Sequence, residues 1–375
     1  MLVLGGYGHF GGNICKALAP DVTVIVAGRD AHKAENFART LGAARAGAHE
    51  GAHESAALDH NATNLAERLS GLRADAVVHT CGPFQAQDYH VAQACIAAGA
   101  HYIDLADGRA FVAGISELDA AARANDVLVA SGASTLPALS SAVIDEHRGL
   151  FVRLDTIDIS ITPGQRTPRG LATLQAVLSY CGKPFSAWEA GRWRTVYGWQ
   201  DVKYFSYPDL GGRWLARCDV PDLQLFPQRY PGVQRVRFDA ALELPIAQAA
   251  LWLLAGLVRL RLIGNASGCA QGMLKCADYF DSMGSYGTDS GGMHLGLRGT
   301  DHQGRPAKVA WHLIARRGHG PQIPCIPAIV LARKLAAGTL TVRGAMPCMG
   351  LMSLAEFAEA VNRAGLDIAW RTSFA

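Results

Sequence analysis

The chain opens on an apolar strand, Leu2-Val3-Leu4, that runs straight into Gly5-Gly6-Tyr7-Gly8-His9-Phe10-Gly11-Gly12. Gly6, Gly8 and Gly11 spell G-x-G-x-x-G. Asn13–Ala19 reads as a helix after the turn, and Val22–Ala27 as a second strand. Within a strand–turn–helix–strand unit each of these glycines has a mechanical job. Gly6 makes the tight turn, Gly8 lets backbone approach a pyrophosphate, and Gly11 lets the helix pack close to the strand. The helix start offers unpaired N–H groups and the positive end of its dipole to the phosphates. The unit predicts a dinucleotide-binding fold.

The end of the second strand bears on which dinucleotide. An Asp or Glu there binds the ribose 2′-hydroxyl of NAD, whereas an Arg nearby accommodates the 2′-phosphate of NADP. This strand ends Ala27-Gly28-Arg29-Asp30, with no acid before the arginine. A guanidinium forks onto phosphate bidentately, so Arg29 is expected to select NADP. Asp30 is expected to cap the helix Ala31–Leu41, which stops at Gly42.

Length and composition bound the rest. At 375 residues the chain has room for two domains. A formal charge of +3 without a basic run gives no sign of a nucleic-acid partner. Nine cysteines without C-x-x-C spacing read as reduced thiols. The first strand begins at residue 2, so no leader segment is expected and the cytoplasm is the expected location. Ile246–Val258 is strongly apolar, but it is shorter than the ~20 residues that span a bilayer and is followed by Arg259 and Arg261. A buried helix is expected there. Contact with a membrane surface is the alternative, and a helix this apolar makes a homodimer plausible.

The first 150 residues alternate strand and helix: strands near Ala56–Leu58, Ala76–Thr80, His101–Leu105 and Val127–Ala130, and helices Ala62–Leu69, Val91–Ala98 and Ala113–Ala124. This alternation implies an α/β fold, a Rossmann-type doubly wound parallel sheet over residues 1–150. The character changes near Phe151. Leu154–Ile161 alternates apolar and polar, as a strand with one solvated face does. A helix Arg169–Tyr180, a Trp-rich stretch from Trp188 to Trp214, strands near Val233–Phe238, Gly292–Arg298 and Lys308–Ala315, and helices Ala328–Ala337 and Leu354–Ala364 follow. Residues 151–375 therefore read as a second, α+β domain with a mixed or antiparallel sheet, serving substrate binding or dimerisation. The helix near 328–337 is a candidate to pack back on the first domain.

Three blocks in order, GGYGHFGG at the start, AGRD at the second strand end, and HTCGPFQAQDYHVAQACIAAGAHYIDLAD over His79–Asp107, resemble the saccharopine dehydrogenase-like oxidoreductases. Cys81 stands where that family has Ala before Gly-Pro-Phe. The resemblance covers the first domain well and the second only in outline, and the substrate-domain signature of saccharopine-forming enzymes is missing. It implies an NADP-linked enzyme whose second domain covers the nicotinamide, acting on C=N or C=O bonds of small, often amino-acid-like substrates. By position it places Gly6, Tyr7, Gly8, His9, Phe10 and Gly11 at the pyrophosphate and Arg29 and Asp30 at the adenosine ribose. Asp59 falls near the adenine amino group, and Cys81, Gly82, Pro83 and Phe84 beneath the nicotinamide ribose.

Reduction of an imine or carbonyl needs a proton donor near the acceptor heteroatom. Asp104 and Asp107 close the fifth strand, and Asp107 is the leading candidate, with a cap before Gly108-Arg109 as its structural role. His79 reads as a hydrogen-bonded core histidine, and no local base marks Cys81 as a nucleophile. In the second domain Arg166 and Arg169, flanking a helix start, are candidates to clamp a substrate carboxylate, and Tyr197 and Trp199 to line a pocket. His49-Glu50-Gly51-Ala52-His53 spells H-E-x-x-H, but Gly47 and Gly51 weaken a helix there, so no metal is expected. Gly5, Gly8 and Gly11 also satisfy G-x-x-G-x-x-G, the loop of an atypical short-chain fold that senses NADP without turnover. No Tyr is followed four residues later by Lys, which removes the usual short-chain catalytic pair.

Overall fold

The computed structural model describes residues 1–43, 53–167, 171–264 and 287–375. They form two compact units: residues 1–142 with 322–364, and residues 143–321 with 365–375.

The first unit is built on β1 (Leu2–Leu4), β2 (Ile25–Gly28), β3 (Glu54–Ala57), β4 (Ala76–His79), β5 (His101–Asp104) and β6 (Leu128–Ser131). A seventh strand, Gly344–Pro347, joins beside β6. The order across the sheet is Gly344–Pro347, β6, β5, β4, β1, β2, β3, and every pair is parallel. Parallel sheets are covered on both faces, so their inner strands need unbroken apolar runs. β1, β4 and β6 are buried along their whole length. β3 lies at the edge and is largely exposed, which is why its Glu-Ser-Ala-Ala carries a weak strand signal. One core cluster unites Leu2, Leu4, Val77, Tyr102 and Val129 of the strands with Val91, Cys95 and Ile115. The order β3-β2-β1-β4-β5-β6 is that of the doubly wound dinucleotide-binding fold. Successive strands run outward one way from β1 and the other way from β4. The loops after these two strands therefore part and leave a crevice at their carboxyl ends.

Several boundaries differ from the sequence reading, each for a local reason. The first helix is His9–Leu18, so Gly11 and Gly12 lie inside it despite glycine's poor helix propensity. Residues 109–124 are not one helix but Arg109–Gly114, a 3-10 turn Ile115–Leu118, and Asp119–Ala124. Pro347 is tolerated because its strand is an edge. The helix Ile326–Ala336 lies on the helix His9–Leu18: Arg333 donates to Asp21 Oδ2 and to the Ala17 carbonyl, both at 2.8 Å.

The second unit holds a nine-stranded mixed sheet. Its main path runs Lys203–Tyr207, Gly211–Arg217, Arg235–Ala240, Arg153–Thr162, Gly291–Thr300, Pro306–Ala315, Ile368–Phe374. A hairpin of Pro184–Glu189 and Arg192–Tyr197 attaches to Arg235–Ala240. Only Arg235–Ala240 and Arg153–Thr162 pair in parallel among the described strands of this sheet. The Trp-rich stretch is thus two β-hairpins. The strand Arg153–Thr162 alternates as expected, yet its polar side is not solvated. Ser160 is 2% and Thr162 1% exposed. Tyr207 donates its hydroxyl to Ser160 Oγ at 2.6 Å, and the ring of Phe205 stacks on His294 with centroids 4.6 Å apart. Aromatic side chains of Lys203–Tyr207, three strands away in the sheet order, reach a face that alternation alone assigns to water.

The helix Pro245–Arg259 corrects another expectation. Gln248, Leu251, Ala255 and Val258 are buried, but Ile246, Leu253 and Leu257 on the opposite side are exposed. The sequence is apolar all round, and among the described residues only one side is buried. Among the described residues no helix is long and apolar enough to cross a membrane.

Candidate nucleotide and catalytic site

Because β1 to β6 are parallel, the loops that follow them share one edge of the sheet. The loop after β1 begins at Gly5, whose φ of +77° lies in the left-handed region. The tight turn therefore belongs to Gly5, one residue before the position that G-x-G-x-x-G assigns. The N–H groups of Gly5 and Gly6 both donate to the Ala27 carbonyl, at 2.9 and 3.0 Å, which moors the turn to β2. Gly6 is wedged in place: a Cβ there would lie 2.9 Å from the Val3 carbonyl oxygen and 3.1 Å from Val26 Cγ1. Gly11 is tighter still, with a Cβ position 2.2 Å from the Gly5 carbonyl oxygen. The helix thus starts in contact with the strand end. Gly8 is its N-cap and carries no side chain to satisfy the first turn. The N–H groups of His9, Phe10 and Gly11 are the ones a helix start leaves without an intrahelical partner. They suit an anion.

Tyr7 links this turn to the end of β2. Its hydroxyl accepts the Asp30 N–H at 3.1 Å, and its ring fills the space over Gly28, where a Cβ would fall 2.4 Å from Tyr7 Cε1. Asp30 caps the following helix as expected, through the Lys33 N–H at 3.1 Å. Arg29 stands exposed between them. Its charge acts on His60, after β3, and on Cys81, after β4. Asp59 is half-buried, accepts the Asn61 N–H at 3.1 Å and sits 3.6 Å from His60 Nδ1. Burial is the main force that pushes the Cys81 thiol up to about 11, so it stays protonated and is no nucleophile near neutral pH.

The loop after β4 abuts the glycine turn. Thr80 donates to the Leu4 carbonyl through its N–H at 3.0 Å and its hydroxyl at 2.7 Å. A Cβ on Gly5 would lie 2.7 Å from Thr80 Oγ1 and 3.0 Å from Cys81 Sγ. The Gln87 amide donates to the carbonyls of Cys81 and Pro83 at 2.6 and 3.0 Å. Gly82 and Pro83 remain exposed, while Phe84 is 4% exposed and packs on His79 and Phe111 with centroids 5.1 and 5.4 Å away. Phe84 is the buried peg of this loop, and Gly82 and Pro83 are its accessible part.

The two acids at the end of β5 have parted. Asp104 is fully buried, and its Oδ1 accepts the N–H groups of Gly132 at 2.7 Å and Ala106 at 2.9 Å and the Ser131 hydroxyl at 3.1 Å. Burial raises its pKa to about 6, against the pull of those donors. Next to it His79 Nδ1 meets the Tyr102 hydroxyl at 3.0 Å. Burial drives His79 down to about 3, so it is a neutral core histidine. Asp107 is exposed, and its Oδ1 accepts from Gln85 Nε2 at 3.0 Å. Surrounding protein atoms raise its pKa, with Gln85 pulling the other way. It does not cap the helix Arg109–Gly114; Gly108 holds that place.

The remaining candidates lie in the second unit or outside the described residues. Arg166 is exposed, and Arg169 lies outside the described residues. Tyr197 is half-buried, with the Arg259 guanidinium 4.1 Å from its ring centroid. Trp199 corrects the sequence reading: it is 2% exposed, with Nε1 3.4 Å from the Val177 carbonyl, and is core rather than pocket wall. His49 and Glu50 of H-E-x-x-H also lie outside the described residues; His53 Nδ1 accepts the Val24 N–H at 3.2 Å. Among the described residues no group of three or more His, Cys, Asp or Glu is placed to hold a metal. Sequence reasoning missed Thr80, Gln85 and Tyr102, polar ties to other strands and loops. No local pattern marks them, because most of their partners sit on other strands.

A family model described as the saccharopine dehydrogenase NADP binding domain matches residues 1–149. Among solved structures the chain is similar to a histidine-tagged apo saccharopine dehydrogenase (L-glutamate-forming) from Saccharomyces cerevisiae, at 14% identity over 99% of both chains with a TM-score of 0.66. It is also similar to a homospermidine synthase from Legionella pneumophila in complex with NAD, at 12% identity over 99% of this chain and 91% of that one, with a TM-score of 0.54. A search of curated protein sequences finds no match. At such low identity the two structures establish the fold. The strand order and the uncapped helix behind the glycine turn agree with that family model, and the first 149 residues are therefore a nicotinamide-dinucleotide-binding domain similar to the saccharopine dehydrogenase NADP binding domain.

Proposed function

We propose that this protein is an NADP(H)-dependent oxidoreductase that transfers hydride between the nicotinamide and a C=N or C=O carbon of a small, amino-acid-like molecule. One observation carries the choice of nucleotide. Arg29 stands exposed at the end of β2 beside the glycine turn, with Ala27 and Gly28, not an acid, before it. The residues fit the cofactor: Gly8 and Gly11 leave no side chain in the way, and no side chain caps the helix start. In this reading the N–H groups of His9, Phe10 and Gly11 hold the pyrophosphate, and Arg29 takes the 2′-phosphate. Asp59 receives the adenine amino group, and Gly82 and Pro83 form a backbone shelf for the nicotinamide ribose. When bound, the nicotinamide supplies or accepts the hydride. The chain's own task is to orient the substrate and to deliver a proton to its heteroatom, which we assign to Asp107.

The amino-acid-like substrate is supported by the name of the Saccharomyces protein that shares the fold, a saccharopine dehydrogenase that forms L-glutamate. Arg166 and Arg169 would bind its carboxylate. A cytoplasmic location is supported by the absence of any disulfide among the described cysteines.

Removal of the Arg29 guanidinium tests the nucleotide. Arg29→Ala is expected to weaken NADPH binding about 30-fold and to leave NADH binding unchanged, about 2 kcal/mol of a charge-assisted contact. Equal losses for both nucleotides in fluorescence titrations would refute the assignment. Turnover is tested by NADPH oxidation against a panel of imines and ketones. Binding without oxidation of any of them would leave a nucleotide sensor instead. A protonated Asp107 is needed for reduction, so the rate is expected to fall as pH rises through its raised pKa. Asp107→Asn should remove that limb of the pH profile, and an unchanged limb would transfer the role to another group.

A further inference from the structure

The helix Pro245–Arg259 carries two apolar stripes, one buried and one exposed among the described residues. Gln248, Leu251, Ala255 and Val258, buried in the second unit, follow spacings of 3, 4 and 3. Ile246, Ala250, Leu253, Leu257 and Leu260 follow spacings of 4, 3, 4 and 3 on the opposite side. Ile246 is 80%, Leu253 57%, Leu257 40% and Leu260 70% exposed. At about 100° per residue the five positions fall within about 80° of one another, a narrow seam. A 4-3 alternation is the repeat with which one helix interlocks with another. Ala249 and Gly256 flank the seam and leave room for a second backbone to approach, and Trp252 and Leu262, 44% and 69% exposed, border it. No acid or lysine occurs from Leu244 to Gly264, and the only charges, Arg259 and Arg261, lie at the end of the stripe.

We infer that this seam pairs with the same seam of a second copy of the chain, as the core of an isologous homodimer. A two-fold contact requires a surface that complements itself, and an uncharged 4-3 stripe does so. The exposed apolar side chains offer on the order of 600 Å² per copy, close to the about 800 Å² per partner of a stable interface. A helix lying on a bilayer has a broad apolar face with a charged face opposite. Here the seam is narrow, and the opposite face is already packed into the unit.

Sedimentation velocity of the full chain across about 0.1–50 µM tests the inference. The expected result is a dimer of the 39.8-kDa chain that the double variant Leu253→Glu, Leu257→Glu converts to monomer. NADPH affinity of the variant should stay within about twofold of wild type. Leu257→Gln, a milder change at an exposed position, should raise the dimer dissociation constant at least tenfold even if the double variant fails to fold. A wild-type monomer throughout the range overturns the proposal, as does a dimer that survives both substitutions. A wild-type monomer that floats with phosphatidylcholine–phosphatidylserine vesicles would assign the seam to a lipid surface instead.

Discussion

Gly11→Ala is expected to cut NADPH affinity at least 100-fold. The added methyl would sit 2.2 Å from the Gly5 carbonyl oxygen, 2.7 Å from the Gly5 carbonyl carbon and 2.9 Å from Gly6 Cα. All three are backbone atoms, so no flexible side chain can yield. Either the helix His9–Leu18 lifts from β1 or the turn at Gly5 opens. Each response moves the N–H groups assigned to the pyrophosphate. Overpacking of this kind costs about 1–3 kcal/mol, and a 100-fold loss of affinity corresponds to about 2.7 kcal/mol. Gly71→Ala is the control. It also lies in a helix, but nothing stands within 4 Å of its Cβ position, so affinity should not change. Nucleotide titration with a parallel thermal melt separates the outcomes. A Gly11→Ala protein that binds NADPH within threefold of wild type would show that the phosphates do not lie on this turn.

Asp104→Ala should produce the largest loss of stability, about 3–5 kcal/mol, as expected when one partner of a buried charged network is deleted. The carboxylate is fully buried, and without it the N–H groups of Gly132 and Ala106 and the Ser131 hydroxyl lose their acceptor. These donors lie in the turn after β5 and at the end of β6, so the loop that carries Asp107 should loosen as well. Urea denaturation measures the loss, and a change below about 1 kcal/mol would refute the network's role. The pH dependence has a definite sign. The pKa of Asp104 is about 6 in the folded protein and about 3.9 in an unfolded chain. Between those values the folded state binds more proton, so stability from this group is greatest at low pH and is lost as pH rises from about 4 to 6. Two units correspond to about 3 kcal/mol. In the difference between wild type and Asp104→Asn that dependence should appear with this sign; the opposite sign would mean the carboxylate is stabilised in the folded chain.

Much of the nucleotide site was legible in sequence because its determinants are local. The glycine spacing, the apolar strand before it, Arg29 at the next strand end and the cap at Asp30 lie within the first 30 residues. Even there the motif misplaces one role, since the left-handed residue is Gly5 and not Gly6. Periodicity is equally short-range, and it places β4, β5 and β6 to within a residue or two.

What periodicity does not carry is the identity of the covering element. Leu154–Ile161 alternates in either environment, and it takes Tyr207 of a distant strand, bonded to Ser160, to make that end of its polar side an interior one. Trp199 carries the composition of a pocket wall, but its burial comes from segments distant in the chain. Asp104 and Asp107 are indistinguishable by spacing; one is sealed by Gly132 and Ser131 from another strand, the other is an exposed residue that Gln85 holds. The two seams of Pro245–Arg259 are alike in hydrophobicity, and among the described residues tertiary packing buries one and leaves the other exposed. Backbone conformation and amphipathic period are set by neighbours a few residues away. Burial is set by whichever distant segment completes the layer, and that is a property of the assembled fold.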